Sequence, residues 1–299
     1  MSASKTIIAF GELLWDIFPT GEVLGGAPSN FAYRINSLGH AGWLVTRLGK
    51  DERGERAADL IRENGLPLNY VQWDKTKPTG TVHVAIDPKG VPHFKIVRNV
   101  AYDYIEPTSE LLALAASAQC ICFGTLIQRS NISRATLYQM LDAAPDALKI
   151  LDLNLRKDCF NRQIISESIR RADILKLNED EARFIAELFS LPTDLNDFAR
   201  YVVEVMKRKV CIITLGANGL IAANNKGELI ERPSHKVEVI DTVGCGDAVT
   251  AGFVHCFLEN RPLAYCCDFA NALGALVAKT RGGMSPIKLA DIHALAGIP

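Results

Sequence analysis

The sequence predicts an α/β protein: a mostly parallel sheet covered by helices on both faces, with a small β-sheet lid inserted into it. Three observations predict it. From about residue 108, segments of helical spacing alternate with short apolar runs; unbroken apolar strands between helices belong to a parallel sheet buried on both sides. Residues 79–87 and 93–97 instead alternate apolar and polar around Pro88-Lys89-Gly90, which reads as a hairpin wet on one face. The chain has 299 residues, 48% hydrophobic and 22% charged, enough for one large core.

Residues 7–10 form a short apolar run stopped by Gly11, a buried strand. Residues 13–24 break into short pieces around Pro19 and Gly21, as extended strands lying away from the main sheet would. Asp16, among Leu14, Trp15, Ile17 and Phe18, reads from spacing alone as a surface carboxylate. Gly25-Gly26-Ala27-Pro28-Ser29-Asn30 opens a helix through Leu38, with Pro28 in its first turn and Gly39 as its stop. Residues 43–48 read as a strand, and 51–64 as a helix with Asp51 as N-cap and Gly65 as stop. The lid is assigned to 13–24 and 68–100. Helices over 108–117, 131–143, 162–172, 179–189 and 194–207 then alternate with strands over 120–123, 148–153, 174–177 and 210–215. A hairpin over 219–223 and 228–232 and a strand-like run over 237–240 follow. The last elements are a helix from Ala248, a buried alanine-rich helix over 262–280 and a final helix over 288–296.

The net charge of −1 gives no electrostatic case for nucleic acid or an anionic membrane. No apolar run reaches the ~18 residues of a membrane span. Met1-Ser2-Ala3-Ser4-Lys5-Thr6 lacks a signal-peptide core, so a cytoplasmic location is expected. Eight cysteines without a C-x-x-C pair read as buried reduced thiols rather than disulfides or a zinc site.

The chemistry concentrates at Asp241-Thr242-Val243-Gly244-Cys245-Gly246-Asp247, which leads into the helix containing Ala248, Val249, Phe253 and Phe257. Glycines where a strand turns into a helix expose free N–H groups at the positive end of the helix dipole, an anion site. A dinucleotide fingerprint fails here: Val249 stands where the third glycine belongs, and Asp247 would push a carboxylate at a pyrophosphate. Two readings stay open for the turn alone. It is a tight turn stabilised by a first-turn carboxylate, or a catalytic turn whose amides hold a transferring phosphate while Asp247 takes a proton from a hydroxyl.

Ligands of open α/β sheets bind beyond the carboxyl ends of the strands. There the sequence puts Asp152-x-Asn154-x-Arg156, then Asn178-Glu179-Asp180-Glu181, then Thr214 with Gly216-Ala217-Asn218-Gly219. All three ends should lie on the edge that carries the Asp247 turn.

Together these residues resemble the ribokinase/PfkB family of sugar kinases, and within it the fructokinase-like members. Gly25-Gly26-x-x-x-Asn30 is similar to the family's N-terminal signature, Asp241-Thr242-x-Gly244-x-Gly246-Asp247 to its C-terminal one, and Asn178-x-x-Glu181 to its magnesium-associated motif. The likeness spans nearly the whole chain. It implies a single three-layer α/β/α domain over 1–299 with a β-sheet lid, paired through the lids into a homodimer. It implies ATP-dependent phosphorylation of a free sugar, fructose first. The alternatives are 2-keto-3-deoxygluconate, whose carboxylate Arg156 could bind bidentately, or another sugar or nucleoside. A non-catalytic sugar or nucleotide sensor on the same fold is the alternative of a different class; the intact Asp247 and Glu181 argue against it.

The resemblance also implies roles. Asp247 would be the base, and the amides of Gly244, Cys245 and Gly246 the anion hole. Asp16, Gly26 and Asn30 would hold sugar hydroxyls, with Arg156 near the substrate. Thr214, Gly216 and Gly219 would line ATP, with Asn271 near the adenine. Glu181 and Asn178 would hold Mg2+ through water. Asp241, Val243, Ala278, Arg281 and Gly283 match a monovalent-cation loop, for K+. No G-x-x-x-x-G-K-[ST] loop is present, so the helix-start turn must take over anion binding. Two positions depart from the family pattern. Cys245 stands where alanine is usual; a thiol at a helix start could have a lowered pKa and modest sensitivity to alkylation, or merely fill space. Gly282-Gly283-Met284 departs from the usual glycine-alanine pair, which puts K+ dependence in doubt. Arg98, Tyr102 and Tyr104 are lid residues that set specificity or only pack.

Overall fold

The structure, a computed structural model, describes residues 4–86 and 92–298; the expected turn Pro88-Lys89-Gly90 lies outside them. In chain order the first elements are β1 (Thr6–Phe10), β2 (Leu14–Phe18), β3 (Gly21–Gly25), α1 (Ala27–Ser37), β4 (Ala41–Gly49) and α2 (Glu52–Glu63). There follow β5 (Val71–Asp74), β6 (Gly80–Ile86), β7 (Pro92–Ile96), α3 (Ser109–Ser117), β8 (Cys120–Phe123), α4 (Asn131–Ala143), β9 (Leu148–Asp152) and α5 (Arg162–Arg171). The rest are β10 (Ile174–Asn178), α6 (Glu179–Phe189), α7 (Leu195–Glu204), β11 (Val210–Thr214), β12 (Leu220–Asn224), β13 (Leu229–Arg232), α8 (Cys245–Leu258), α9 (Leu263–Ala278) and α10 (Leu289–Ala296).

Nine strands form one sheet in the order β13-β12-β11-β10-β9-β8-β1-β4-β5. The pairs from β5 across to β11 are parallel, and β12 and β13 add antiparallel strands at one edge. Successive strand residues feed opposite faces, as a period of two requires. Ile8, Phe10, Ile121, Phe123, Leu151 and Leu175 join a core with residues of α3 to α7. Ile7, Ala9, Cys120, Cys122, Ile150 and Ile174 join a second core with residues of α1, α2, α8, α9 and α10. Each fully buried Ile, Leu or Phe contributes roughly 1.5–3 kcal/mol. The continuous apolar runs are thus strands covered twice, in three layers.

The second sheet has the order β3-β2-β6-β7. Its two hairpins are antiparallel, and β2 joins β6 in parallel. The segment 68–100 does not stay together, which corrects the lid boundary. Val71–Asp74 pairs with β4 at the edge of the large sheet, and only β6 and β7 go to the small one. The strand-like run over 237–240 is a second correction: it is irregular chain. β13 already closes that edge of the sheet, and Val239 and Ile240 are exposed.

Six helices start on the side-chain caps their sequence offers: Asp51, Thr108, Ser130, Asn161, Asn178 and Asp194 each accept a first-turn N–H. α1 and α8 start differently, on Gly26 and Gly244, with no side-chain cap. Both of these starts border the candidate site.

Candidate active site

Gly244 has φ +78°, and a Cβ there would fall 2.4 Å from Gly283 Cα, so only glycine fits this close approach. The first intrahelical bond of α8 runs from Ala248 N to Gly244 O at 2.9 Å. The N–H groups of Gly246 and Asp247 precede it and are left for an outside acceptor. The Cys245 N–H already donates to Thr242 O at 3.3 Å, so it is the weaker of the three expected donors.

Asn30, in the first turn of α1, donates from Nδ2 to Asp247 Oδ2 at 2.8 Å. Burial, then the Asp152 carboxylate, pushes Asp247 up to about 6, against the Asn30 hydrogen bond, Lys176 and Arg156. A carboxylate tuned near neutral pH suits a general base. Behind the turn, Lys176 Nζ lies 2.9 and 3.1 Å from the two Asp152 oxygens, and Thr250 Oγ1 lies 2.8 Å from Asp152 Oδ2. Burial works against the Lys176 ammonium, but Asp152, together with Asp247 and Glu181, outweighs it and the Lys176 pKa is raised. A Cβ on Gly246 would sit 3.1 Å from that ammonium, so positive charge stands against the amide turn.

Two large cavities lie near this turn, and the second of them reaches the start of α8. One, of about 590 Å³, is lined by Glu12, Asp16, Gly26 and Arg156, with Val82, Phe94 and Ile96 from the small sheet. The other, of about 540 Å³, is lined by Thr214, Gly216, Gly219 and Asn271, with Cys245, Gly246 and Val249 from α8. A narrow cleft that includes Glu12, Asp152, Asn154 and Asp247 lies beside Ala27 and Leu126. Most sequence-predicted residues therefore gather on one edge, as the strand-end rule requires.

Several details correct or refine the expectations. Asp16 is not a surface residue: it is half-buried in the first cavity, and burial raises its pKa. Cys245 is the reverse of an activated thiol: burial, then Asp241 and Asp247, pushes it up to about 11. Tyr102 is buried and packs against Arg129, whose Nη2 donates to its hydroxyl at 2.9 Å. Tyr104 donates to Asn99 Oδ1, and Arg98 donates to the Asp158 carbonyl. None of the three lines the cavity that Phe94 and Ile96 line.

Glu181 and Asn178 form a capping box: Glu181 Oε2 accepts from Asn178 N at 2.9 Å, and Asn178 Oδ1 accepts from Glu181 N at 2.8 Å. Glu181 Oε1 accepts from Leu155 N at 2.7 Å, and burial raises the group's pKa. Each oxygen keeps a lone pair, so the pair still fits a water-held Mg2+. Asn271 Nδ2 holds the Pro233 carbonyl at 2.7 Å, and Thr214 Oγ1 lies 3.5 Å from Leu177 O.

Four of the five cation-loop residues already have their oxygens hydrogen-bonded within the protein. Ala278 O accepts from Ile240 N and Asp241 N at 2.8 and 3.2 Å. The two carboxylate oxygens of Asp241 accept from Val243 N and Gly282 N. Arg281 O accepts from Ser285 Oγ, and Gly283 O from Arg34 Nη2 at 2.9 Å. Only Ala278 O has both lone pairs engaged, and among the described residues the Val243 carbonyl accepts no hydrogen bond, so an ion would compete with the loop's own hydrogen bonds for most of its ligands.

The site also contains residues that sequence reasoning passed over. Glu12 lies two residues beyond the end of β1, so the strand-end rule would have found it; burial pushes it up to about 7. Lys176 was legible as the single charge in an apolar strand. Thr250 carried no signal.

Among the described residues, no helix is long and apolar enough to cross a membrane. Fructokinase-1 of rice, Oryza sativa subsp. japonica, is 28% identical over 94% of this chain and 94% of its own length. The structure of an uncharacterised sugar kinase from Pyrococcus horikoshii, in complex with ATP, is 26% identical with a TM-score of 0.79, covering 93% of this chain and 94% of that one. A fructokinase from Xylella fastidiosa with bound ATP shares the fold at a TM-score of 0.85 and 22% identity, over 99% of both chains. The family of pfkB carbohydrate kinases matches residues 5–289. A sheet edge that gathers carboxylates, free helix-start amides and two cavities thus sits in a chain matched by that family almost from end to end, and the chain belongs to the pfkB family of carbohydrate kinases.

Proposed function

We propose that this kinase transfers the γ-phosphoryl group of ATP to a hydroxyl of free fructose. The observation that carries the reading is the position of the α8 start. Asp247 opens toward the cleft beside Glu12 and Asn154, while Cys245 and Gly246 wall the cavity that Thr214, Gly216, Gly219 and Asn271 line. A sugar held by Asp16, Gly26, Asn30 and Arg156 would present its hydroxyl to Asp247. The proton passes to the carboxylate, the sugar oxygen bonds to the γ-phosphorus, the bridging P–O bond breaks, and ADP leaves. Charge on the transferring group meets the Gly246 and Asp247 amides and the positive end of α8. Mg2+, held through water by Glu181 and Asn178, would neutralise phosphate charge when bound. Val82, Phe94 and Ile96 give the small sheet an apolar inner wall that would keep water from competing as acceptor.

A neutral sugar suits the first cavity better than a sugar acid, because Glu12 and Asp16 line it. Arg156 and Lys157 at its rim favour the second reading, 2-keto-3-deoxygluconate. A panel of sugars and sugar acids with ATP, read by coupled ADP release, decides between them; fructose is expected to give the highest kcat/KM. Sugar binding without ADP release from any member would leave the sensor reading. Exposed Val23 and Phe94 on the small sheet support pairing through the lids, and light scattering should give a dimer mass.

A further inference from the structure

Arg34, in the second turn of α1, is fully buried at 0% exposure. Its Nη2 donates to Gly283 O at 2.9 Å, and its Nε and Nη1 have no partner among the described residues. Its guanidinium stacks 5.1 Å from the Tyr33 ring, and the groups that act on its charge are Tyr33 and the Cys245 thiol, with no carboxylate among them. A buried charge without a counter-charge is costly, so its place needs a cause. Gly283 supplies one. A Cβ on Gly283 would fall 2.5 Å from the Asn30 amide carbon, and a Cβ on Gly244 would fall 2.4 Å from Gly283 Cα. Arg34 therefore grips the loop that packs directly against the amide turn and against the asparagine that holds Asp247. This is the loop in which four of the five candidate cation ligands already have hydrogen-bonded oxygens, one of them held by Arg34 itself.

We propose that Arg34 is the resident cation of this loop, a positioning residue whose guanidinium clamps Gly283 beneath Asn30 and Gly244 and makes a bound monovalent ion unnecessary. A fixed positive charge under the turn also favours phosphate charge arriving above it. The effect on turnover rests on the proposed kinase reaction; the independence from a monovalent ion does not.

The test has a binding arm and an activity arm. The melting temperature of the wild-type protein is measured in potassium chloride and in N-methylglucamine chloride at equal ionic strength. It should agree in the two salts, because an ion that binds only the folded state raises it. Arg34→Ala should lose about tenfold or more in kcat with a much smaller change in sugar KM, and millimolar guanidinium should restore part of the loss where urea does not. A saturable potassium-specific rise in wild-type melting temperature or turnover overturns the proposal. So does an Arg34→Ala variant with wild-type kcat, or one rescued equally by urea. If Arg34→Ala does not fold, the wild-type salt comparison still decides. If no sugar is phosphorylated, the kinase reading fails while the melting comparison stands.

Discussion

Asn30 and Asp247 lie 217 residues apart and meet through a 2.8 Å hydrogen bond from Asn30 Nδ2 to Asp247 Oδ2. The bond joins the first turns of two helices that both begin on an uncapped glycine. It favours the ionised carboxylate against burial and the nearby Asp152 charge, and so helps set where Asp247 titrates.

Asp247→Asn should abolish turnover, by about 10² to 10⁴-fold or more, because the amide cannot accept the hydroxyl proton. Affinity for a non-hydrolysable ATP analogue, measured by calorimetry, should stay nearly unchanged. Retained ADP release in this variant would refute the base assignment.

The pH dependence follows from two raised carboxylates. With Asp247 as the proposed base, its deprotonated form is the working one, and kcat/KM should fall as pH drops below about 6. Stability runs the other way. Asp247 and Glu12 have folded pKa values of about 6 and about 7, above their ordinary 3.8 and 4.5. The folded state then binds more protons, and the stability these groups allow is full below the ordinary values of 3.8 and 4.5 and is lost as pH rises through about 6 and about 7. Glu12→Gln should flatten that decline in a melting-temperature series from pH 4.5 to 8; an unaltered slope would remove Glu12 as its source.

Glu181→Ala should raise the Mg2+ concentration needed for half-maximal activity. It also opens the capping box and orphans Leu155 N and Asn178 N, which should cost about 1–3 kcal/mol of stability. Unchanged Mg2+ titration with a lowered melting temperature would leave Glu181 a structural cap alone.

Gly244→Ala should cost about 1–3 kcal/mol through its left-handed φ alone, with more from the 2.4 Å approach to Gly283 Cα. Denaturant unfolding measures it. A variant as stable as wild type would mean that the turn relaxes, and the free amides of Gly246 and Asp247 with it.

Cys245 should resist alkylation at pH 7.5, because its thiol is pushed up to about 11. Turnover after iodoacetamide treatment should match the untreated enzyme; rapid inactivation that ATP prevents would restore the activated thiol.

The amino-acid sequence by itself determined the layered architecture. The apolar runs of β8 to β11 need helices on both faces, whereas the alternation around β6 and β7 marks a separate sheet. It also marked the polar strand ends and the glycine turn before Asp247, since these depend on local residue order. Only the tertiary structure decided what depends on contacts distant in sequence. It assigned Val71–Asp74 to the large sheet and left 237–240 irregular, because sheet edges are settled by which strands are already paired. It brought Asn30 to Asp247, Thr250 to Asp152 and Arg34 to Gly283. It also decided between the two readings of Cys245, against the activated thiol, because the desolvation and neighbouring carboxylates that raise a thiol's pKa come from the packed environment and not from its place at a helix start.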